Sequence, residues 1–225
     1  MEKTIRLREC TISKDAVYLF DWDTFKKNLD KLITGISKNT ITPINGERWE
    51  EVIYTILTHM KLEPGWNPGS HKPGADLWFS GFSISAKSGN FQGGHLNISS
   101  YRLTRFSTLE KMKVFIDSVG GKNYDIHLCC ARTDHSDGSR NYKVYVVDAG
   151  LFKAKDLAWS EMKGKRTTRT TGWRGVHENG IVVEIRKKMS NQLWLSYPLE
   201  LCNLISDVSI SKEDLGSEAN YFLLK

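Results

Sequence analysis

Six residues in strict alternation, Phe82-Ser83-Ile84-Ser85-Ala86-Lys87, place an apolar row and a polar row on opposite faces of one strand. Asp76 to Phe79 and a Ser80-Gly81 turn come just before them, so the segment reads as a hairpin. Phe82, Ile84 and Ala86 suit a core, while Ser83, Ser85 and Lys87 suit a polar cleft. Pairing through the turn brings Asp76 towards the Ser85–Lys87 end of its neighbour, although the turn type that sets the register is not readable. An acid and an ammonium so placed match what phosphodiester hydrolysis needs. The acid holds a divalent metal, and the ammonium orients the attacking water and steadies phosphate charge. Each residue alone is also an ordinary turn aspartate or a solvated strand-end lysine. The surrounding composition favours the joint reading. Leu77 to Leu109 contains no Asp or Glu, whereas 26 acids in 225 residues would put about four there. A surface that approaches a polyanion has reason to exclude carboxylates.

The rest of the chain predicts an α/β domain around a mixed sheet. Apolar periodicity predicts helices over Asp23–Ile36 and Glu47–Met60. A third helix is expected from Ser107 to Val119, with Ser107 and Glu110 as a capping box. Strands are expected at Asn97–Thr104, Tyr124–Ala131, Tyr142–Asp148, Ile181–Arg186 and Gln192–Tyr197, and a short helix at Leu199–Ile205. Around the second helix, Glu50 falls at the edge of the apolar stripe, and Glu47 and Glu51 on the solvated side.

Pro73-Gly-Ala-Asp76, a strand ending in Ser85-Ala-Lys87, and a preceding helical Glu50 together resemble the PD-(D/E)xK nucleases, which include many type II restriction endonucleases. The resemblance covers residues 46–106. It departs from the pattern in two places: Gly-Ala separates Pro73 from Asp76, and Ser85 stands where the family usually has an acid. What it implies is a restriction-endonuclease-like core of a mixed central sheet flanked by helices. Residues 1–225 would form one domain, with the nuclease core around 46–150 and DNA-wrapping elements around 151–225. Asp76, Lys87, Glu50 and Ser85 would be catalytic. Asp76 and Glu50 would hold Mg2+, with Glu110 as the fallback glutamate, and Ca2+ is expected to bind without supporting cleavage. The products would carry 5′-phosphate ends.

Double-stranded DNA is the expected partner, with a net charge of +6 permitting it. The segment after Lys87 supplies Ser88, Asn90, Gln92, Asn97, Arg102 and Arg105 as candidate contacts. A second segment, Lys163 to Arg174, supplies Lys163, Lys165, Arg166, Arg169 and Arg174. His71 either touches phosphate or fixes its own turn. A palindromic target implies a homodimer.

No small-molecule cofactor is expected. The histidines and the four cysteines lack zinc spacing, so free thiols are expected. No apolar run reaches the ~18 residues of a membrane span, and the charged N-terminus is no signal peptide, so a cytoplasmic protein is expected. Three rivals stay open: a structure-specific repair or junction nuclease of the same fold, a non-catalytic DNA- or RNA-binding module, and an interaction protein with an incidental basic loop.

Overall fold

A computed structural model describes residues 20–67, 74–118, 121, 124–163 and 171–219. Helix α1, Trp22–Asn39, starts where the Asp21 carboxylate accepts from the Thr24 amide, and it buries Phe25, Leu29 and Ile33 at four-residue spacing. Helix α2, Gly46–His59, buries Trp49, Val52, Ile53, Ile56 and Leu57. Strands β1 (Gly65–Trp66), β2 (Leu77–Phe79), β3 (Phe82–Gln92) and β4 (His95–Arg102) follow. Helix α3, Leu109–Asp117, leads to β5 (Ile126–Asp134), β6 (Arg140–Asp148), β7 (Ala158–Met162), β8 (Gly172–Val176), β9 (Val182–Arg186), β10 (Gln192–Pro198) and β11 (Asn203–Ile210).

All eleven strands join one sheet, in the order β11-β6-β5-β3-β4-β10-β9-β8-β7, with β2 beside β3 and β1 beside β2. Among the described strand pairs only β3–β5 is parallel, and α3 lies on the crossover between those two strands. The protein is therefore mixed α/β.

Two apolar layers cover opposite faces of the sheet. Helices α1 and α2 pack with Leu77, Ile84, Leu128, Val144 and Ile210 on one face. Met112 and Ile116 of α3 pack with Ile98, Val147, Ile185 and Leu195 on the other. The vicinal pair Cys129 and Cys130 splits between these layers, because alternate strand residues face opposite ways. The described cysteines, with Cys202, are free thiols. Burial pushes the Cys130 thiol up to about 12. No helix among the described residues is long and apolar enough to cross a membrane.

Trp49 ties α2 to the sheet. Its side chain is fully buried, and its indole Nε1 donates to the Leu128 carbonyl at 2.9 Å. Trp49→Phe is expected to destabilise the fold by about 2–4 kcal/mol, from a small cavity plus a carbonyl left with one fewer partner. Urea unfolding followed by far-UV dichroism measures the loss.

Three local expectations are corrected. The α3 N-cap is Thr108, not Ser107, and it accepts from the Lys111 amide. Leu199–Ile205 is not a helix. Only Leu199–Leu201 makes a 3-10 turn, and Asn203–Ile210 is an edge strand against β6, because Val208 and Ile210 alternate inward. The basic segment is not loop throughout: Gly172, Trp173 and Arg174 belong to β8 and pair with Met162, Glu161 and Ser160, while residues 164–170 lie outside the described residues.

Candidate active site

The β2–β3 turn sets the geometry of the site. Ser80 and Gly81 both take positive φ, 44° and 81°, the signature of a two-residue primed turn. The ladder then runs Phe79↔Phe82, Trp78↔Ser83, Leu77↔Ile84, and the Asp76 amide donates to the Ile84 carbonyl at 2.9 Å. Asp76 therefore sits across from Ser85.

A cleft opens where β3 changes neighbours. Strand β2 pairs with β3 up to Ile84, and β4 pairs with it only from Gly89 onwards. Beyond Ile98, β4 pairs with β10 alone. Between these two partners lies a cleft of about 340 Å³, lined by Glu47, Glu50, Asp76, Ser85, Lys87 and Arg102 among others.

Within it the Lys87 ammonium donates to Asp76 Oδ2 at 2.8 Å, and the Ser85 hydroxyl reaches the same oxygen at 3.3 Å. Asp76 is only 5% exposed, so its charge depends on these partners. Glu50 is half-buried on the first turns of α2, and the Trp66 indole donates to its Oε2 at 3.2 Å. Burial raises the Glu50 carboxyl above the ordinary carboxylate range, and the Asp76 and Glu47 charges add to the rise. The Trp66 hydrogen bond and the Lys87 charge pull the other way. Glu50 and Asp76 thus repel across one space that an ammonium shares.

Glu47 is a correction. It lies on the outer side of the helical wheel, yet it lines the cleft with Glu50. The cleft lies off the N-terminal end of α2, where first-turn side chains reach it from several wheel angles. Ser83 is corrected in the other direction: its amide and hydroxyl both donate to Asp125, at 2.7 and 2.8 Å, and it does not line the cleft. Glu110 belongs to a separate shallow depression with Phe106 and Val114, which removes it as a metal ligand beside Asp76.

The DNA-contact candidates divide. Arg102 is exposed at the cleft, and Asn90, Gln92 and Lys163 are exposed on or beside their strands. Ser88 lines the cleft, but its Oγ accepts from the Gly46 amide at 2.8 Å, which satisfies one orphan donor of α2. Asn97 is held within the sheet, accepting from Ser196 and donating to the His95 carbonyl. The Arg105 guanidinium rests over the Phe115 ring at 4.2 Å and the Phe106 ring at 4.8 Å. Arg174 is paired with Glu184 at 2.6 Å. His71, Lys165, Arg166 and Arg169 lie outside the described residues.

Among the described residues, no three His, Cys, Asp or Glu side chains cluster closely enough to enclose a metal. Two hard carboxylates on an open cleft nevertheless suit Mg2+, which keeps several waters and takes one or two carboxylates plus substrate phosphates. Ca2+ accepts the same oxygen donors at longer distances.

Glu50→Gln tests the electrostatics directly. A carboxyl with a raised pKa contributes stability that is present below its unfolded-state pKa and lost as pH rises through its folded-state value. At pH 8 the ionised Glu50 therefore opposes folding. The glutamine variant is expected to melt about 1–2 °C higher than the parent at pH 8, with the difference vanishing below pH 4. Thermal melts of both proteins across that range check it. No family model, curated protein or solved structure matches this chain.

Proposed function

We propose that this chain is a Mg2+-dependent type II restriction endonuclease with a restriction-endonuclease-like core. It binds a specific duplex DNA sequence as a homodimer and hydrolyses one phosphodiester per strand, leaving 5′-phosphate ends. The observation that carries the reading is the meeting of Asp76, Ser85, Lys87 and Glu50 in one cleft, although 25 residues lie between Glu50 and Asp76 along the chain.

The roles follow from position. Asp76 and Glu50 hold the metal, which when bound supplies positive charge against the phosphate. Glu50, from α2, provides the carboxylate that Ser85 cannot. The Ser85 hydroxyl fixes the Asp76 carboxylate in orientation. The Lys87 ammonium orients the attacking water and stabilises charge gathering on the phosphate oxygens. Arg102 at the cleft mouth is placed to hold a neighbouring phosphate.

Incubation with a mapped plasmid and Mg2+ tests this reading. Discrete bands with 5′-phosphate ends support it. A smear, or cutting confined to branched DNA, points to a structure-specific nuclease. No cutting at any metal concentration, with duplex still bound, points to a binding module.

A further inference from the structure

Beyond the cleft, the sheet face that α2 covers at β3 continues onto β4, β10, β9 and β8. Cross-strand pairs trace it. Ser88 and Asn90 share a face of β3, Asn90 pairs with Asn97, Asn97 with Ser196, and Ser196 with Val182. Helix α1 packs on β11 and α2 on β3, and the described residues place no helix over β8–β10 on this side.

Three guanidinium groups cross this face. Arg102 pairs with Gln192, and Gln192 pairs with Arg186 on its other edge. Arg186 and Arg174 both bind Glu184, at 2.8 and 2.6 Å, and the Arg186 guanidinium lies 4.3 Å over the Trp194 ring. Glu184 side-chain exposure is 14%, against 32% for Arg186 and 46% for Arg174, so the acid lies beneath and the cations face outward. Strands β4, β8, β9 and β10 hold no other acid. The face is net positive, and Arg186 and Arg174 are held by a largely buried carboxylate, Arg186 also by a ring, instead of ranging freely.

We propose that Arg102, Arg186 and Arg174 form a phosphate track that carries the backbone of duplex DNA away from the cleft. The occupant rests on the nuclease reading, and the complementarity rests on charge. Strand spacing puts Arg102 and Arg186 about 10 Å apart, and Arg174 about 8 Å further on. A DNA strand carries a phosphate every ~3.4 Å of axis, so the row spans a few phosphate steps of one strand. Pre-set guanidiniums lose little side-chain freedom on contact, which favours this row over mobile surface lysines. The sequence does not single out Arg186, because Trp194 and Arg174, which define its setting with Glu184, come beside it only through the sheet register.

Fluorescence anisotropy of duplex binding in Ca2+, over a salt series, tests the track. Arg186→Ala and Arg174→Ala are each expected to weaken binding about 3–10-fold and to lower the slope of log K against log salt by about 0.9. Arg186→Lys keeps the charge and is expected to keep the slope, which separates phosphate contact from packing on Trp194. Lys143→Ala, on β6 at the far side of the sheet, is expected to change neither quantity. Unchanged slopes in both alanine variants, with duplex still bound and cut, overturn the track and leave the nuclease reading standing. Reduced slopes without any cleavage in Mg2+ sustain the track and remove the nuclease reading. No duplex binding down to about 50 mM salt overturns the track.

Discussion

Asp76→Asn is expected to lower Mg2+-dependent cleavage of duplex DNA by at least ~10³-fold. The amide keeps the shape of the carboxylate but not its charge, and it turns donor hydrogens towards space where a cation and the Lys87 ammonium belong. Stability should change little, by within about 1 kcal/mol. The Lys87 side chain is 18% exposed and borders the cleft, so its ammonium can hydrate when its partner is lost. Duplex binding without metal should tighten slightly, because one negative charge facing a polyanion is gone. Loss of cleavage with retained or improved binding and an unchanged melting temperature is the expected combination. A variant that cuts at the parental rate removes Asp76 from the chemistry.

How much of this was legible follows the physics of each signal. The hairpin was legible because a period of two in Phe82–Lys87 survives in any context. Its register was not, since Ser80 is not a residue that demands positive φ, and the turn type is set by what the flanking strands bury. The far half of β3 was missed for a related reason. Ser88, Gly89 and Asn90 have loop composition, and they are held extended by β5 and β4, both distant or later in the chain. A helical wheel puts Glu47 towards solvent because it ranks residues around an axis and says nothing about what lies beyond the helix end. Trp66 was not foreseen as the partner of Glu50, since that hydrogen bond links α2 to a two-residue strand. Arg105 and Arg174 are readable as basic but not as engaged, because the packing of α3 brings the Phe115 ring under one and cross-strand register brings Glu184 to the other. Leu199–Ile205 shows the same limit, since a short run with leucines six, four and one residues before Ile205 fits either period.

Lys87→Ala is expected to abolish cleavage to a similar degree, through a different loss and with a different effect on stability. Removing the ammonium leaves the Asp76 carboxylate, with 7% side-chain exposure, one weak hydroxyl partner among the described residues, Ser85. A buried charge stripped of its counter-ion loses more than an exposed one, and the expected destabilisation is about 1–3 kcal/mol, measurable by urea unfolding. The pair is therefore asymmetric: deleting the acid is nearly neutral for the fold, and deleting the base is not. A double variant, Asp76→Asn with Lys87→Ala, tests that asymmetry, since removing both charges should recover most of the stability lost in Lys87→Ala alone while cleavage stays absent. Equal stability of Lys87→Ala and the parent shows that the ion pair does not form in solution. Additive losses in the double variant show that each side chain matters to the fold by packing alone. Recovery of stability without recovery of activity is what a charge pair retained for catalysis, at the expense of a simpler core, must give.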